Sequence, residues 1–252
     1  LAFGGYRAPS LPTGYPSLLT TGTACTQEYN GTAWSDGGNM SLTTKCNTSR
    51  GGAGSQNAAL AFGGHMAHPA APSFNAARHH DCTEEYDGSS WSDATAALPH
   101  PRHSSGGVGT QNSAFGFGGI TQPQGTSCYF CKEGWTYDGS AWTTVNNLTT
   151  ARGKGAGFGG VNAAIAASSN TSPYTQTEEW DGTSWASGGS LSDDRRMMTG
   201  FGTQNSGVVT GGGFPSNSTS YTNTYTYDGS AWSDGPAASI SRYGASSTGD
   251  SS

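Results

Sequence analysis

The strongest constraint on the fold is a ten-residue pattern that the chain repeats five times. In each copy an aromatic residue is followed by Asp-Gly or Asn-Gly and, five positions after the aromatic residue, by a tryptophan. Asp-Gly and Asn-Gly favour two-residue turns between antiparallel strands, because both central positions need positive φ angles that Gly, Asn and Asp tolerate. The pattern therefore predicts five β-hairpins. They cover residues 27–36, 84–93, 135–144, 178–187 and 225–234.

The amino-acid composition supports an all-β protein. Glycine accounts for 40 of the 252 residues and charged residues for only 11%, which argues against a helical protein. The chain has 7 Trp, 11 Tyr and 9 Phe residues, and because each aromatic side chain buries a large area, they can supply a series of small cores. Low-complexity disorder is normally poor in aromatic residues, so we expect a folded chain.

Each hairpin belongs to a longer unit that predicts four strands. The unit begins with an arginine, continues through a Gly/Ala-rich segment and an apolar run that ends in two glycines, and closes with the hairpin. In residues 50–64, for example, two strands are expected on either side of a turn at Gln56–Asn57. The repeated arginines are Arg50, Arg102, Arg152, Arg195 and Arg242. The second glycines of the pairs are Gly5, Gly64, Gly119, Gly160 and Gly213.

This unit resembles the kelch repeat of β-propellers, in which an apolar strand ends in two glycines and is followed by a tyrosine, a tryptophan and an arginine. The resemblance extends over the whole chain and is closest to the Gly/Thr-rich kelch-like arrays of bacteriophage structural proteins, such as tail fibre and decoration proteins. It implies one domain, residues 1–252, folded as a five-bladed β-propeller of four-stranded antiparallel blades, with the aromatic pairs as scaffold. The pairs are Tyr29 and Trp34, Tyr86 and Trp91, Tyr137 and Trp142, Trp180 and Trp185, and Tyr227 and Trp232.

The two ends of the chain are expected to complete one blade. Residues 1–5 predict a strand that ends in a glycine pair, and "SRYGASS" near the C-terminus predicts the strand that precedes it. The interval between the last and the first glycine pair, counted through both termini, lies within the range of the other intervals. A blade shared between the N- and C-termini would remove exposed strand edges. The alternative is an open solenoid of five units.

The connections of such a propeller alternate between two faces, and the two sets differ in sequence. The uniform face, as we name it, carries the short Gln-Asn and Asp-Gly turns. The variable face carries long, dissimilar loops, at residues 6–24, 65–81, 120–130 and 214–222, and all 11 prolines lie on this side. Variable loops on a rigid scaffold commonly carry binding residues, although neutral drift of loops gives the same pattern.

Aromatic residues in the variable loops are candidate ligand contacts. Flat apolar rings beside hydroxyl and amide groups suit a sugar or a protein partner. The candidates are Tyr6, Tyr15, Phe74, Tyr129, Phe130, Tyr174, Phe214 and Tyr221. We therefore expect a noncatalytic module that contacts a host-surface glycan, sister subunits or other structural proteins of its assembly. A purely structural subunit of a fibre or capsid and a polysaccharide-acting enzyme are the alternatives.

All 6 histidines fall within 39 residues, in two segments that project from the variable face. Imidazole and thiolate suit zinc or copper, so this stretch is a candidate transition-metal site. Its candidate ligands are His65, His68, His79, His80 and Cys82. No established ligand spacing matches, and a solvated polar patch or a pH-sensitive contact is the alternative. No other cofactor is expected.

The 5 cysteines leave their pairing open. Cys128 and Cys131 form a C-x-x-C sequence, but no βαβ pattern surrounds it and no second such pair completes a zinc site. Cys46 is a candidate disulfide partner for Cys25 or Cys82, and the odd total leaves at least one thiol outside any disulfide.

Two features that suggest catalysis in other proteins have a structural explanation here. The neighbouring pairs Glu84–Glu85 and Glu178–Glu179 resemble the two carboxylates of a glycosidase, but adjacent strand residues point to opposite faces of a sheet. Residues 155–160 satisfy G-x-G-x-x-G, but they predict a strand with no helix after it to bind a pyrophosphate. We therefore expect no enzyme activity.

Charge and hydropathy limit the partners further. A net charge of -6 without runs of like charge gives no basic track for a nucleic-acid backbone. No apolar stretch approaches the ~18 residues needed to span a bilayer, so no membrane insertion is expected. The few lysines, the 5 cysteines and the abundant Ser and Thr favour an extracellular or virion surface over the cytosol.

Overall fold

The computed structural model describes residues 1–3, 6–7, 21–22, 24–41, 50–65, 79–121, 129–169, 171–213 and 220–242. The regular secondary structure in these ranges consists of β-strands and turns. Within the same ranges, no helix has the length and apolar character needed to cross a membrane.

Four antiparallel sheets of four strands form blades 2 to 5, with the strands of each sheet in chain order. Blade 2 contains β6 (Gly51–Gly54), β7 (Ala59–Phe62), β8 (Thr83–Tyr86) and β9 (Trp91–Asp93). Blade 3 contains β10 (Gly106–Thr110), β11 (Ser113–Phe117), β12 (Gly134–Tyr137) and β13 (Trp142–Val145). Blade 4 contains β14 (Ala156–Gly160), β15 (Ala163–Ala167), β16 (Thr177–Trp180) and β17 (Trp185–Ser187). Blade 5 contains β18 (Arg196–Thr203), β19 (Ser206–Gly213), β20 (Thr224–Tyr227) and β21 (Trp232–Gly235).

Blade 1 is built around the N-terminus. Its described strands are β1 (Ala2–Phe3), β4 (Thr26–Tyr29) and β5 (Trp34–Gly37), and β1 pairs with β4. A separate two-stranded sheet joins β2 (Tyr6–Arg7) to β3 (Thr21–Gly22). The N-terminal strand therefore lies inside a blade, as predicted. The strand predicted to precede it, from residue 243 onward, lies outside the described residues.

The five blades form the predicted all-β five-bladed propeller. The first strands of blades 2 to 5 contact one another in order, so they line the central axis. Small residues permit this approach, because a Cβ atom added to Gly107 of blade 3 would lie 2.5 Å from the carbonyl oxygen of Gly52 in blade 2. The Gly/Ala-rich segments of the sequence are thus the strands nearest the axis.

Local hydrogen bonds determine the hairpin turns, which are not the predicted two-residue turns centred on Asp-Gly. Tyr86 pairs with Trp91, so residues 87–90 connect the strands of blade 2, and Gly88 has a positive φ whereas Asp87 does not. In blade 2, Asp87 Oδ1 accepts the backbone N–H groups of Ser89 and Ser90, each at 2.8 Å. These bonds hold the pKa of the Asp87 carboxyl at about 2, because they stabilise its charged form. The same arrangement recurs in the other four hairpins, at Asn30, Asp138, Asp181 and Asp228.

The repeated aromatic residues connect neighbouring blades. Tyr137 of blade 3 donates its hydroxyl to Glu85 of blade 2 at 2.7 Å, and Trp142 Nε1 donates to Thr83 Oγ1 at 2.9 Å. The interfaces between blades 1 and 2 and between blades 4 and 5 contain the same two bonds. This confirms that the aromatic pairs of blades 2, 3 and 5 belong to the scaffold.

The interface between blades 3 and 4 replaces these bonds with apolar packing. Trp180 stands where the other blades have a tyrosine, and the facing position of blade 3 is Thr136 instead of a glutamate. Trp185 Nε1 is buried without a hydrogen-bond partner in the described part of the chain, because Gly134 occupies the position of the accepting threonine. The ring of Phe115 stacks on Trp185 at 5.5 Å instead.

The repeated arginines join successive blades. The Arg152 N–H donates to the carbonyl of Cys131 at 2.9 Å, and its own carbonyl accepts the Gly119 N–H at 2.7 Å, so its backbone belongs to blade 3. Its buried side chain instead donates to Glu178 Oε1 at 2.9 Å and to the Ser168 carbonyl at 3.0 Å, both in blade 4. One residue therefore holds two blades together.

Arg102 forms the equivalent link between blades 2 and 3. Its N–H donates to the His80 carbonyl at 3.0 Å, while its buried side chain donates to Glu133 at 3.0 Å and stacks over Trp135 at 3.9 Å. A stacked, paired guanidinium can be buried at an acceptable free energy because its charge and its flat faces are both compensated.

The glycine pairs leave room for the carbonyl groups of these arginines. Gly63 adopts φ 63°, and a Cβ atom there would lie 2.7 Å from the Arg102 carbonyl oxygen.

Two of the predicted glycine pairs, those of blades 4 and 5, are wrong. Gly160 ends the first strand of blade 4, and the corresponding position after its second strand is Ser169. In blade 5 the corresponding residue is Gly212, because its N–H donates to the Arg242 carbonyl at 2.8 Å. The predicted residue, Gly213, lies one position further on.

Candidate ligand-binding face

The variable face is formed by the loops that follow the second strand of each blade and by the crossovers that lead into each first strand. Short β-bridges extend the sheets toward this face. In blade 3, Ile120 pairs with both His103 and Phe130, and in blade 2 His65 pairs with His79. The bases of these loops are therefore held by the sheets, whereas residues 66–78 and 122–128 lie outside the described residues.

Tyr129 is the predicted contact residue that the structure displays most clearly. Its side chain is 60% exposed and packs edge-on against Phe130, with the ring centroids 4.7 Å apart. Phe130 is half-buried, and a Cβ atom on Gly153 would lie 2.9 Å from its ring, so its own contacts are mainly internal. Tyr129 therefore faces solvent, and Phe130 packs against the scaffold.

The other predicted contact residues are less accessible or lie elsewhere. Tyr221 is half-buried beneath the guanidinium of Arg195, 4.3 Å from the ring centroid, and it pairs with Arg242. Tyr174 is half-buried in the loop of blade 4. Tyr6 lies in β2, and Tyr15, Phe74 and Phe214 lie outside the described residues.

Three histidines from separate segments converge on this face. The ring centroid of His79 lies 4.5 Å from that of His103 and 5.8 Å from that of His65, and the His65 and His103 centroids are 5.3 Å apart. The predicted metal set included His65 and His79 but not His103, and His68 lies outside the described residues. Both histidine segments were predicted to project from the variable face, but His103 was not among the predicted ligands.

The environment of these rings keeps them neutral at pH 7. Burial, together with the nearby His65 and His80, lowers the pKa of His79 to about 4. Burial, His79, His65 and Lys154 lower the pKa of His103 to about 3. Burial and His80 also lower the pKa of His65. The charges that act on the cluster are thus cationic.

The predicted metal site stays a prediction, because one of its candidate ligands, His68, lies outside the described residues. Among the described residues, no group of three or more His, Cys, Asp or Glu side chains is arranged to hold a metal ion. His80 and Cys82 follow His79 in the chain, and Cys82 lies immediately before β8, where its carbonyl accepts the Gly63 N–H at 2.9 Å. The observed contacts of the cluster are thus those between the rings of His65, His79 and His103.

A collar of three hydrogen-bonded residues runs along the crossovers into blades 3, 4 and 5, and it begins next to His103. Ser104, Lys154 and Met197 occupy the same position in the crossovers into blades 3, 4 and 5, and each has a left-handed backbone with φ of 55°, 60° and 58°. Lys154 N–H donates to the Ser104 carbonyl at 3.2 Å, and Met197 N–H donates to the Lys154 carbonyl at 2.8 Å. The sequence contains a signal for the collar. The turn asparagine follows the repeated arginine by ten residues in blades 3 to 5, but by seven residues in blade 2.

The acidic pairs serve the scaffold. Glu84 and Glu178 are buried in ion pairs with Arg50 and Arg152. Their neighbours Glu85 and Glu179 lie on the opposite sheet face. Each accepts a hydrogen bond from a tyrosine hydroxyl across a blade interface. Each pair is therefore divided between two interfaces, as the strand geometry predicted.

Three of the 5 cysteines, Cys25, Cys82 and Cys131, lie among the described residues. Cys131 is disulfide-bonded, and its partner lies outside the described residues. Cys25 is exposed and Cys82 is half-buried, while Cys46 and Cys128 are not among the described residues.

Comparison with known proteins supports the fold alone. No protein-family model matches the chain, and no curated protein matches its sequence. Among solved structures, a structure of YjhT is similar with a TM-score of 0.70 over 89% of this chain and 81% of that chain. The sequences are only 12% identical, so the similarity concerns the propeller architecture.

Proposed function

We propose that this protein is a noncatalytic recognition module displayed on a virion or another extracellular surface, and that it contacts a glycan or a protein through its variable face. The proposal retains the kelch-like assignment and the relation to bacteriophage tail fibre or decoration proteins, which rest on the sequence resemblance. The observation that carries it is the difference in environment between the aromatic residues of the repeated hairpins and those of the variable loops. The repeated pairs of blades 2, 3 and 5 stabilise blade interfaces, whereas Tyr129 remains 60% exposed on a loop base fixed by the sheet.

The positions of the carboxylates support a noncatalytic role. A glycosidase needs two carboxyl groups on either side of one bond. Here Glu178 and Glu179 point into different blade interfaces, and Glu178 is fully engaged with Arg152 and two threonines. If the protein acted on polysaccharides, hydrolysis would be lost on substitution of a carboxylate outside these pairs.

A structural subunit is the second candidate, and exposed apolar residues of blades 1 and 5 favour it. Tyr29 and Trp34 of blade 1 are 43% and 56% exposed, although the equivalent pairs in blades 2, 3 and 5 are mostly buried. Ile240, in the crossover after blade 5, is also exposed. Exposed apolar patches often mark contacts between subunits. Light scattering distinguishes the candidates, because an assembly subunit forms regular oligomers and a recognition module binds ligand as a monomer.

The recognition proposal is tested on an array of immobilised glycans with matched tyrosine variants. We expect Tyr129→Ala to reduce binding of the selected oligosaccharide at least tenfold, if a sugar packed on the ring contributes as much as a stacked nucleic-acid base does, about 1–3 kcal/mol. Tyr29→Ala removes an equally large exposed ring near the uniform face and should leave binding unchanged. Equal effects of both substitutions, or no glycan binding by the unmodified protein, would reject the proposal.

A further inference from the structure

The hairpin turn of blade 1 differs from the other four in its first residue. Tyr29 pairs with Trp34, so residues 30–33, Asn-Gly-Thr-Ala, connect the two strands. The other turns begin with an aspartate, at Asp87, Asp138, Asp181 and Asp228. Asn30–Gly31 is also the one Asn-Gly pair in the whole sequence. Blade 1 therefore combines the repeated turn geometry with a different side-chain chemistry.

An asparagine followed by glycine can react with its own backbone, and asparagine is among the chemically labile residues of proteins. The backbone nitrogen of Gly31 would lose its proton and attack Cγ of Asn30, so that a C–N bond forms and ammonia leaves from the side-chain amide. The product is a five-membered succinimide ring, which a water molecule then opens. Attack of water at the former side-chain carbonyl gives aspartate, and attack at the main-chain carbonyl gives isoaspartate. The amide and water are thus converted to a carboxyl group and ammonia, with no oxidation or reduction.

The turn supplies hydrogen bonds that favour this attack. Asn30 Oδ1 accepts the backbone N–H groups of Thr32 and Ala33, each at 2.9 Å. Oδ1 is the oxygen on which negative charge develops when Cγ is attacked. Two backbone donors at this distance from such an oxygen form an oxyanion hole, which stabilises the developing charge.

The attacking nitrogen is accessible. Asn30 and Gly31 are both exposed, and no described residue accepts a hydrogen bond from the Gly31 N–H. Gly31 has φ 93°, and a Cβ atom placed there would have no neighbour within 4 Å. The succinimide ring can therefore form at this position without a clash.

The aspartate turns show that the product fits the fold. Asp87 Oδ1 accepts the N–H groups of Ser89 and Ser90 at 2.8 Å, the same two bonds that Asn30 makes. These bonds lower the pKa of the Asp87 carboxyl to about 2, and the ionised carboxylate is a poor electrophile, so the aspartate turns resist the reaction. Isoaspartate would instead add a methylene group to the main chain between two paired strands. The folded turn therefore favours aspartate as the product.

We propose that Asn30 is a self-modification site, and that in the folded protein it deamidates to an aspartate that completes a fifth Asp-Gly turn. Water is the co-reactant and ammonia the leaving group. The change adds one negative charge to a chain whose net charge is -6. The inference goes beyond the recognition proposal, because it concerns a turn of the uniform face and needs no ligand.

Peptide mapping by mass spectrometry tests the proposal on the full chain. The folded protein is incubated at pH 8 in water enriched in the heavy oxygen isotope, and a parallel sample is incubated in urea. Asn112 is the matched control in the same digest, since it is an exposed turn residue whose neighbour Ser113 pairs with Thr110 in the sheet. In the folded protein, Asn30 should take up the isotope at least about tenfold faster than Asn112, because even one oxyanion-hole donor contributes ~100-fold or more in enzymes.

The products distinguish a reaction guided by the turn from one that the sequence alone determines. Aspartate should be the main product at residue 30 in the folded protein, and isoaspartate in urea, where the turn no longer restricts the opening of the ring. Asn30→Asp supplies the product directly and should fold with the circular dichroism of the unmodified protein. Equal isotope uptake at Asn30 and Asn112, or isoaspartate as the main folded product, would overturn the proposal. An Asn30→Asp chain that does not fold would do the same, because the product would not fit the turn.

Discussion

Substitution of Glu178 tests the arginine links most sharply. Glu178 is almost completely buried and accepts five hydrogen bonds, two from the guanidinium of Arg152 and three from Thr149 and Thr150, at 2.6 to 3.1 Å. Glu178→Gln keeps the size of the side chain but removes its charge, and an amide NH₂ then faces groups that donate. Arg152 would remain buried without its counter-charge.

The expected loss of stability is large. Removal of one partner from a buried ion pair costs about 3–5 kcal/mol, which is a major part of the ~5–15 kcal/mol that stabilises a typical domain. The adjacent Glu179→Gln is the matched control. Glu179 is half-buried and accepts one hydroxyl bond, from Tyr227, so its substitution should cost only about 1 kcal/mol.

Urea unfolding measures both free energies, followed by tryptophan fluorescence and by circular dichroism. We expect a much lower midpoint for Glu178→Gln than for Glu179→Gln, with similar dependence on urea concentration. Equal midpoints for the two variants would refute the reasoning, because they would mean that the Arg152 link contributes no more than a surface hydrogen bond.

Three further predictions concern the same interfaces. Gly118→Ala should destabilise the protein, because its φ of 66° is left-handed and a Cβ atom would lie 2.6 Å from the Arg152 carbonyl oxygen; thermal unfolding measures the loss. Trp142→Phe should cost about 1 kcal/mol more than Trp185→Phe, since only the first indole N–H donates a hydrogen bond, and equal costs in urea would contradict this. Burial and its carboxylate partner raise the pKa of Tyr227, so the folded state keeps that proton longer than the unfolded state; stability should fall as the pH rises above about 10, and less steeply in Tyr227→Phe.

The hairpins could be predicted because their determinants are local. An Asp or Asn side chain bonds to the backbone two and three residues ahead, as Asp87 does, and the following glycine supplies the positive φ. The sequence around residue 87 contains every group involved. The repetition of this unit was then sufficient to predict the number of blades.

The glycine pairs of blades 4 and 5 could not be assigned from sequence alone. Gly159–Gly160 matches the pattern, but it closes a first strand, and Ser168 adopts the left-handed φ of 65° that a glycine has in other blades. A serine in this conformation is uncommon, so the residue type is a poor guide. The Ser168 hydroxyl donates to the Arg195 carbonyl, a tertiary contact that no local pattern reveals.

The histidine cluster was predicted only in part, since His103 was left out of the ligand set. His79 and His103 lie in different segments, and their rings meet because the blade 2 loop and the crossover into blade 3 approach each other on the variable face. To predict this cluster, one would have to know which residue of each crossover lies level with the collar. The shared spacing from arginine to turn asparagine in blades 3 to 5 contains that information.

Hydrogen–deuterium exchange with the oligosaccharide selected on the array tests most directly whether the variable face is the binding face. Ligand should slow exchange around residues 64–65, 79–80, 102–104, 129–131 and 152–154. It should leave the turns at residues 30–31, 87–88 and 138–139 unchanged. Slower exchange confined to those turns would contradict the account, because it would place the ligand on the uniform face.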